Sequence, residues 1–200
     1  MAWIVRVGTT EFFNQSEKDN NAIEFYNFFA PRGYSLASIC GMLGNIDQES
    51  TVNPGLKETA SSSSGWGLIQ WTPFSSYAWW WSIHGWNWYD GVPQCEKIAE
   101  EIEDNRDPWI PTSQYPYSGA EFSQLTDTEL ATRAYFAERE RGDPAQANMQ
   151  HRIDQANYYY QYLSGQPVPP TPPIPPTPSI YDDLLYIMAS MFSMFKRRRR

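Results

Sequence analysis

The chain has 200 residues, of which 41% are hydrophobic and 16% aromatic, and its formal net charge is −8. This length allows one ordinary domain with its own core plus an appendage, but not two full domains. Positions 196–200 are all basic, so the rest of the chain carries a net charge of −13. A body this acidic is a poor candidate for binding nucleic acid, because phosphate contacts require Lys and Arg.

The N-terminal residues MAWIVRVGTTEFF contain one basic residue and a short apolar run. Secretory signals need an apolar stretch of roughly 7–15 residues and a cleavage site, so we expect no signal peptide. Cys40 and Cys95 are the only cysteines. We expect two buried reduced thiols, with a disulfide favoured only outside the cytoplasm. With two histidines, His84 and His151, and no metal-ligand spacing, we predict no metal site and no cofactor.

The first helical pattern lies in residues 20–33, where Pro31 and Gly33 mark its end. Ser35 then precedes an apolar stripe with steps of three and four, which predicts a helix over 36–50. The segment that follows, 51–66, is rich in Pro, Gly and Ser and predicts a long surface loop. Loops of this length in compact domains are usually functional or disordered.

An aromatic run, YAWWWSIHGWNWY, occupies residues 77–89. Core packing, an extension of a glycan platform and an interfacial patch all explain it, and the sequence leaves the three readings open.

Three further helices follow. Apolar spacing predicts one over 95–103, and Thr126 with Glu129 predicts a capping box that begins a helix over 127–141. The last helix of the body covers 149–163. No run of alternating polar and apolar residues is convincing, so we predict a mainly α fold.

The composition predicts three parts: a body over 1–165, a Pro-rich spacer over 166–178 and an amphipathic helix with a basic end over 179–200. A spacer in polyproline II conformation extends about 3.1 Å per residue, roughly 40 Å in total. The uncharged residues 184–195 cover about 18 Å as a helix, which is too short to span a bilayer. An interfacial membrane helix and a helix that docks on a virion protein are equally good interpretations.

Glu49 is the candidate catalytic residue. It lies at the margin of the apolar stripe near the end of its predicted helix, directly before the long loop. A carboxyl group that is partly withdrawn from water keeps its proton more readily, which a general acid needs at neutral pH. When this helix is taken alone, an ordinary surface glutamate in the last turn is the better explanation of the position.

Three stretches, taken together, resemble the phage tail lysozyme family, which belongs with the lysozyme-like and lytic transglycosylase group. They are GMLGNIDQESTVNPG, then GWGLIQWTP, then YFAERERGD with Arg152 and Ala156 downstream. The resemblance covers roughly residues 20–163. It implies a lysozyme-like fold and action on bacterial peptidoglycan.

The resemblance also implies the residues of a sugar cleft. Glu49 matches the proton donor to the glycosidic oxygen. The residues that match the substrate-binding positions are Ser50, Gly67, Leu68, Gln70 and Tyr135. Contact with the substrate and burial in the core are equally good interpretations of Trp71. Gly65 and Gly67 lack a Cβ, so we expect an open backbone that a polymer approaches closely.

Glycosidases usually employ two carboxylates. The candidates for the second one are Asp47, Glu58, Asp90, Glu138 and Glu140, and spacing does not choose among them. Asp47 is expected to face away from Glu49 on the helix. Without a second carboxylate, the substrate's own 6-hydroxyl attacks the anomeric carbon, as in the transglycosylases of this group, so hydrolase and transglycosylase both stay open.

The sequence therefore predicts a muralytic enzyme that cleaves the MurNAc–GlcNAc linkage, with Glu49 as general acid. Without a signal peptide, the protein is expected on a virion or at the host cell envelope. The rival hypothesis is a catalytically inactive structural or wall-binding virion protein that is anchored by its C-terminal tail.

Overall fold

The computed structural model describes residues 2–60, 63–104, 109–141 and 147–167. Helices dominate this part of the chain, and its β structure consists of isolated β-bridges without a strand. The predicted mainly α fold is therefore confirmed. The predicted spacer beyond residue 167 and the predicted helix over 179–200 lie outside the described residues. Within the described ranges, no helix has the length and apolar composition needed to cross a bilayer.

The helices in chain order are α1 (Gln15–Phe29), α2 (Leu36–Ser50), α3 (Phe74–His84), α4 (Gly91–Glu103), α5 (Gly119–Phe122), α6 (Thr128–Tyr135) and α7 (Met149–Leu163). A 3-10 turn, Ala30–Arg32, follows α1, and a π-helical turn, Phe136–Glu140, continues α6. Helix α1 begins before the predicted start at residue 20. Its N-cap is Asn14, which forms a capping box with Glu17.

Helix α2 forms over the predicted range and lies at the centre of the body. Ser35 Oγ accepts a hydrogen bond from Ser38 N (3.0 Å) at its start, and Thr51, at φ 52°, follows its last turn. Nearly all of its side chains are buried, because α1, α6 and α7 pack around it. The helix that carries Glu49 is therefore held from several sides.

Two glycines of α2 let the neighbouring helices approach closely. A Cβ at Gly41 would lie 2.7 Å from the carbonyl carbon of Ala131 in α6. A Cβ at Gly44 would lie 2.2 Å from the carbonyl oxygen of Arg152 in α7. The GMLG part of the sequence thus sets the distance of both helices from α2.

We expect Gly44→Ala to lower the free energy of unfolding by about 1–3 kcal/mol, because the added methyl group overpacks the contact between α2 and α7. Chemical denaturation measures this change. Gly165→Ala is the matched control, since a Cβ at Gly165 has nothing within 4 Å. Equal stability of the two variants would contradict the close packing described for Gly44.

The predicted surface loop over 51–66 is wrong for its first part, because residues 52–56 are buried. The Asn53 side chain is the reason. It donates hydrogen bonds to Arg6 O and Glu11 O (both 2.8 Å) and accepts one from Gly55 N (2.9 Å). These bonds satisfy backbone groups that an inward-facing loop would otherwise leave unpaired.

The aromatic run forms α3 and the loop after it, and its members differ in burial. Trp80 and Trp81 belong to the core, whereas Trp79 is 64% exposed and Trp86 is 39% exposed. The run is therefore partly core, and its exposed tryptophans leave the surface readings open.

Helix α4 begins at Gly91, four residues before the predicted start at 95. Cys95 in α4 and Cys40 in α2 are buried free thiols, and burial raises the pKa of both.

The predicted helix over 127–141 forms as α6 and the π-helical turn, but the predicted capping box is wrong. Asp127, one residue after Thr126, is the N-cap, and its Oδ1 accepts a hydrogen bond from Leu130 N (2.9 Å). Asp is a better N-cap than Thr. Helix α7 forms over the predicted range 149–163.

Candidate active site

Glu49 lies in the last turn of α2, and its side chain is 24% exposed. Its Oε1 accepts a hydrogen bond from Arg152 Nη2 at 2.6 Å. Among the described residues, no hydrogen bond reaches its Oε2. One oxygen is thus held by the protein, and the other is free to meet a ligand.

The Arg152 side chain is buried and organises this corner of the body. Besides Glu49, it donates hydrogen bonds to Ala147 O (2.7 Å) and to both the backbone O (3.3 Å) and Oδ1 (3.1 Å) of Asn45. Its guanidinium also lies 5.0 Å from the centroid of the Phe136 ring. Because its partners lie on α2, before α7 and in the π-helical turn, Arg152 fixes Glu49 relative to three segments.

Ser50 joins Glu49 to the segment 65–71. Its Oγ donates to Leu68 O at 2.8 Å, and Leu68 N donates to Gln94 Oε1 at 2.7 Å. Gly67 has φ 81°, and a Cβ there would lie 2.7 Å from Gln94 Oε1. Both Gly65 and Gly67 are buried, so the expected open backbone is not found: local conformation and packing explain why glycine stands at Gly67.

Glu49 and Gln70 line one cavity of about 410 Å³. Gln70 has φ 51° and donates from Nε2 to Gly67 O at 2.7 Å. Lys57 and Glu58 also line the cavity and bring charges of opposite sign. Lys57 Nζ lies 4.4 Å from the centroid of the Trp66 ring. The structure thus brings together two of the predicted site residues with one cation and one further carboxylate.

The other predicted site residues lie behind this surface. Ser50, Gly67 and Leu68 are buried supports of the wall. Trp71 is 3% exposed, and its Nε1 donates to Glu101 Oε1 at 3.1 Å. Tyr135 is fully buried against Trp109 and Phe122.

The carboxylates considered as partners of Glu49 fall into different environments. Asp47 is buried and accepts hydrogen bonds from Lys18 Nζ (2.9 Å) and Tyr159 Oη (2.5 Å), which gives it a structural role. Asp90 is the N-cap residue of α4. Glu58 lines the cavity with Glu49, and its Oε2 accepts a hydrogen bond from Gly65 N at 2.9 Å.

Glu140 interacts with Glu49 electrostatically. Burial raises the pKa of Glu140 above its ordinary value. Arg139 opposes this rise in pKa, the Glu49 charge adds to it, and Arg152 opposes it. Its Oε1 is buried and has no hydrogen-bond partner among the described residues. The candidates near Glu49 are therefore Glu58 and Glu140.

Glu138 is fully buried. Its Oε1 accepts a hydrogen bond from Tyr117 N at 3.0 Å. Burial raises the pKa of Glu138 from 4.5 to about 7, although the bond from Tyr117 opposes the shift.

This pKa predicts a pH dependence of stability. Since the folded state holds the proton of Glu138 more tightly than the unfolded state, the stabilisation is complete below pH 4.5 and is lost as the pH rises to about 7. Between pH 4.5 and about 7, the unfolding free energy of Glu138→Gln should therefore fall by about 1–3 kcal/mol less than that of the native chain. Urea denaturation at several pH values checks this, with the exposed Glu129→Gln as control. If the unfolding free energy of Glu138→Gln depends on pH as that of the native chain does, the raised pKa of Glu138 is contradicted.

From the sequence, Glu140 is one of five candidates for the second carboxylate and Arg152 belongs to the family resemblance, but neither is linked there to Glu49. Arg152 is 103 positions from Glu49, so no local spacing signals their ion pair. The position of Arg152 within the apolar stripe of α7 was the one indication of a buried ion pair, since a buried arginine needs acceptors. Within the described ranges, no group of three or more His, Cys, Asp or Glu side chains is placed to hold a metal ion.

Comparison with known proteins agrees with the motifs. Residues 20–163 match the phage tail lysozyme family. Over 158 residues the chain is 34% identical to Morphogenesis protein 1 of Bacillus phage B103, a match that covers 78% of this chain and 42% of that relative. The chain thus spans less than half the length of the relative. The resemblance drawn from the motifs is confirmed, and the chain belongs to the phage tail lysozyme family.

Proposed function

We propose that this chain is a muralytic glycosidase that cleaves the MurNAc–GlcNAc linkage of bacterial peptidoglycan, with Glu49 as general acid. The observation that carries the proposal is the shared cavity of Glu49 and Gln70, in which one carboxylate oxygen is held by Arg152 and the other is open. Membership of the phage tail lysozyme family supports peptidoglycan as the substrate.

The chemistry follows from this arrangement. Protonated Glu49 donates its proton to the glycosidic oxygen as the bond from that oxygen to the anomeric carbon breaks, and the bonding electrons leave with the oxygen. Arg152 keeps the carboxyl group oriented through Oε1. Gln70 retains hydrogen-bonding capacity in its side-chain carbonyl, which suits a sugar hydroxyl or N-acetyl group.

The fate of the anomeric carbon separates two mechanisms. If Glu58 activates a water molecule, the product has a reducing end, and its position on the same cavity supports this role. If the substrate's 6-hydroxyl attacks, the product has a 1,6-anhydro end. Mass spectrometry of the released fragments distinguishes these ends. Loss of the reducing ends in Glu58→Gln would identify Glu58 as the base that activates water.

Purified cell walls test the function itself. We expect the full chain to reduce the turbidity of a wall suspension and to release soluble glycan fragments. Walls that keep their turbidity while retaining the protein in the pellet would contradict an enzyme.

That contrary outcome would favour the second candidate, a structural or wall-binding virion protein that keeps the cleft without catalysis. The name of the relative, a morphogenesis protein of a phage, favours this role. The same relative supports our proposal that the chain is associated with a virion or acts at the host envelope.

We also propose that the body over 1–165, the spacer over 166–178 and the helix over 179–200 are separate parts, with the last serving as an anchor. Co-sedimentation of a peptide covering 179–200 with anionic liposomes tests the membrane form of this proposal. Absence of binding would favour docking on a virion protein.

A further inference from the structure

A second cavity, of about 430 Å³, is connected to Glu49 through two side chains. Phe136 lines this cavity, and the Arg152 guanidinium lies 5.0 Å from the centroid of its ring. The same guanidinium donates to Glu49. Two buried side chains, Phe136 and Arg152, therefore lie between this cavity and Glu49.

The lining of the second cavity is positively charged, although the body of the protein is acidic. Arg133 and Arg141 both line it, together with Tyr115 and Gln114, and no Asp or Glu is among the described lining residues. Arg133 forms an ion pair with Glu129 through Nε and Nη2, and among the described residues its Nη1 makes no hydrogen bond. An arginine presents five N–H donors, so a single ion pair leaves donors for a ligand.

The geometry points to a binding site for the carboxylate groups of the stem peptides that peptidoglycan carries on MurNAc, an inference that rests on the proposed function. Each stem peptide is attached to a MurNAc residue, so a glycan cleaved at Glu49 presents a peptide beside the scissile bond. The planar guanidinium group matches a carboxylate in shape and charge. The polar and aromatic side chains of Gln114 and Tyr115 suit the peptide groups between the carboxylates.

Binding to insoluble walls tests this inference without any need for catalysis. The full chain with Glu49→Gln is the parent, since it leaves the walls intact, and Arg133→Gln and Arg141→Gln are added to it. Arg32→Gln is the matched control, because Arg32 forms surface ion pairs with Glu96 and Glu103 on another part of the body. The two materials are peptidoglycan free of teichoic acid and the same glycan after an amidase has removed its stem peptides.

We expect each of the two cavity variants to weaken binding to the peptide-bearing material by about fivefold, with the difference shrinking at high salt. Binding to the peptide-free glycan should stay at the parent's level, and Arg32→Gln should match the parent on both. Equal weakening on both materials, no weakening, or a parent that binds neither material overturns the inference. Walls that retain teichoic acid serve as a third material. Weakening seen on these walls alone also overturns the inference, because the ligand is then a phosphate. The proposed function is judged separately, by whether the native chain cleaves these walls.

Discussion

Replacing Glu49 by Gln is expected to slow the clearing of cell walls by about 100–10,000-fold, which is the usual contribution of a general acid. The amide keeps the size of the side chain and an oxygen that accepts from Arg152, but it has no proton of suitable acidity to give the glycosidic oxygen. The initial rate of turbidity loss, compared at equal protein concentration, measures the effect.

The control separates chemistry from folding. Asp154→Asn removes a carboxylate from the same helix as Arg152, at an exposed position where Asp154 bonds with Gln150. It should clear walls at the native rate. Glu49→Gln should lose only about 1–2 kcal/mol of unfolding free energy, because a charged hydrogen bond becomes a neutral one. A native clearing rate in folded Glu49→Gln would contradict the proposed mechanism.

The second large effect is expected at Arg152. Arg152→Met removes the donors to four acceptors and leaves the partly buried Glu49 without its counter-charge. Breaking a buried ion pair from one side costs about 3–5 kcal/mol of unfolding free energy. Since the Glu49 carboxyl group then loses its fixed orientation, the clearing rate should also fall by about 100-fold at temperatures where the variant is folded.

Arg152→Lys distinguishes positioning from simple destabilisation. Lysine restores the positive charge but supplies a single nitrogen in place of the planar guanidinium, so its stability should recover more than its rate. Thermal unfolding and clearing rate are measured on both variants. A folded Arg152→Met that clears walls at the native rate would show that Glu49 does not depend on this contact.

The helices that the sequence predicted well are those with a clear apolar stripe and strong end signals. Helices α2 and α7 meet this condition, and their predicted ranges agree with the structure. Helix α3 lacks a polar face over much of its length, because Trp79, Trp80 and Trp81 follow one another, so no helical period was visible.

In the candidate site, short motifs identified individual residues, but contacts between residues far apart in the sequence were not predicted. Glu49 and Gln70 were reached through short motifs, and they meet in one cavity. The pairing of Glu49 with Arg152 depends on how α7 packs against α2, and the close approach at Gly44 was not visible as spacing. Burial of Trp71 and Tyr135 likewise depends on tertiary packing, which residue type alone does not determine.

The chemical identity of newly formed chain ends tests the central claim most directly. Purified peptidoglycan is incubated with the native chain or with Glu49→Gln, and the new ends are identified by mass spectrometry. The proposed function predicts new ends at MurNAc, reducing or 1,6-anhydro, from the native chain and none above background from Glu49→Gln. New ends at GlcNAc, cleaved peptide bonds, or equal amounts of MurNAc ends from both proteins would contradict it.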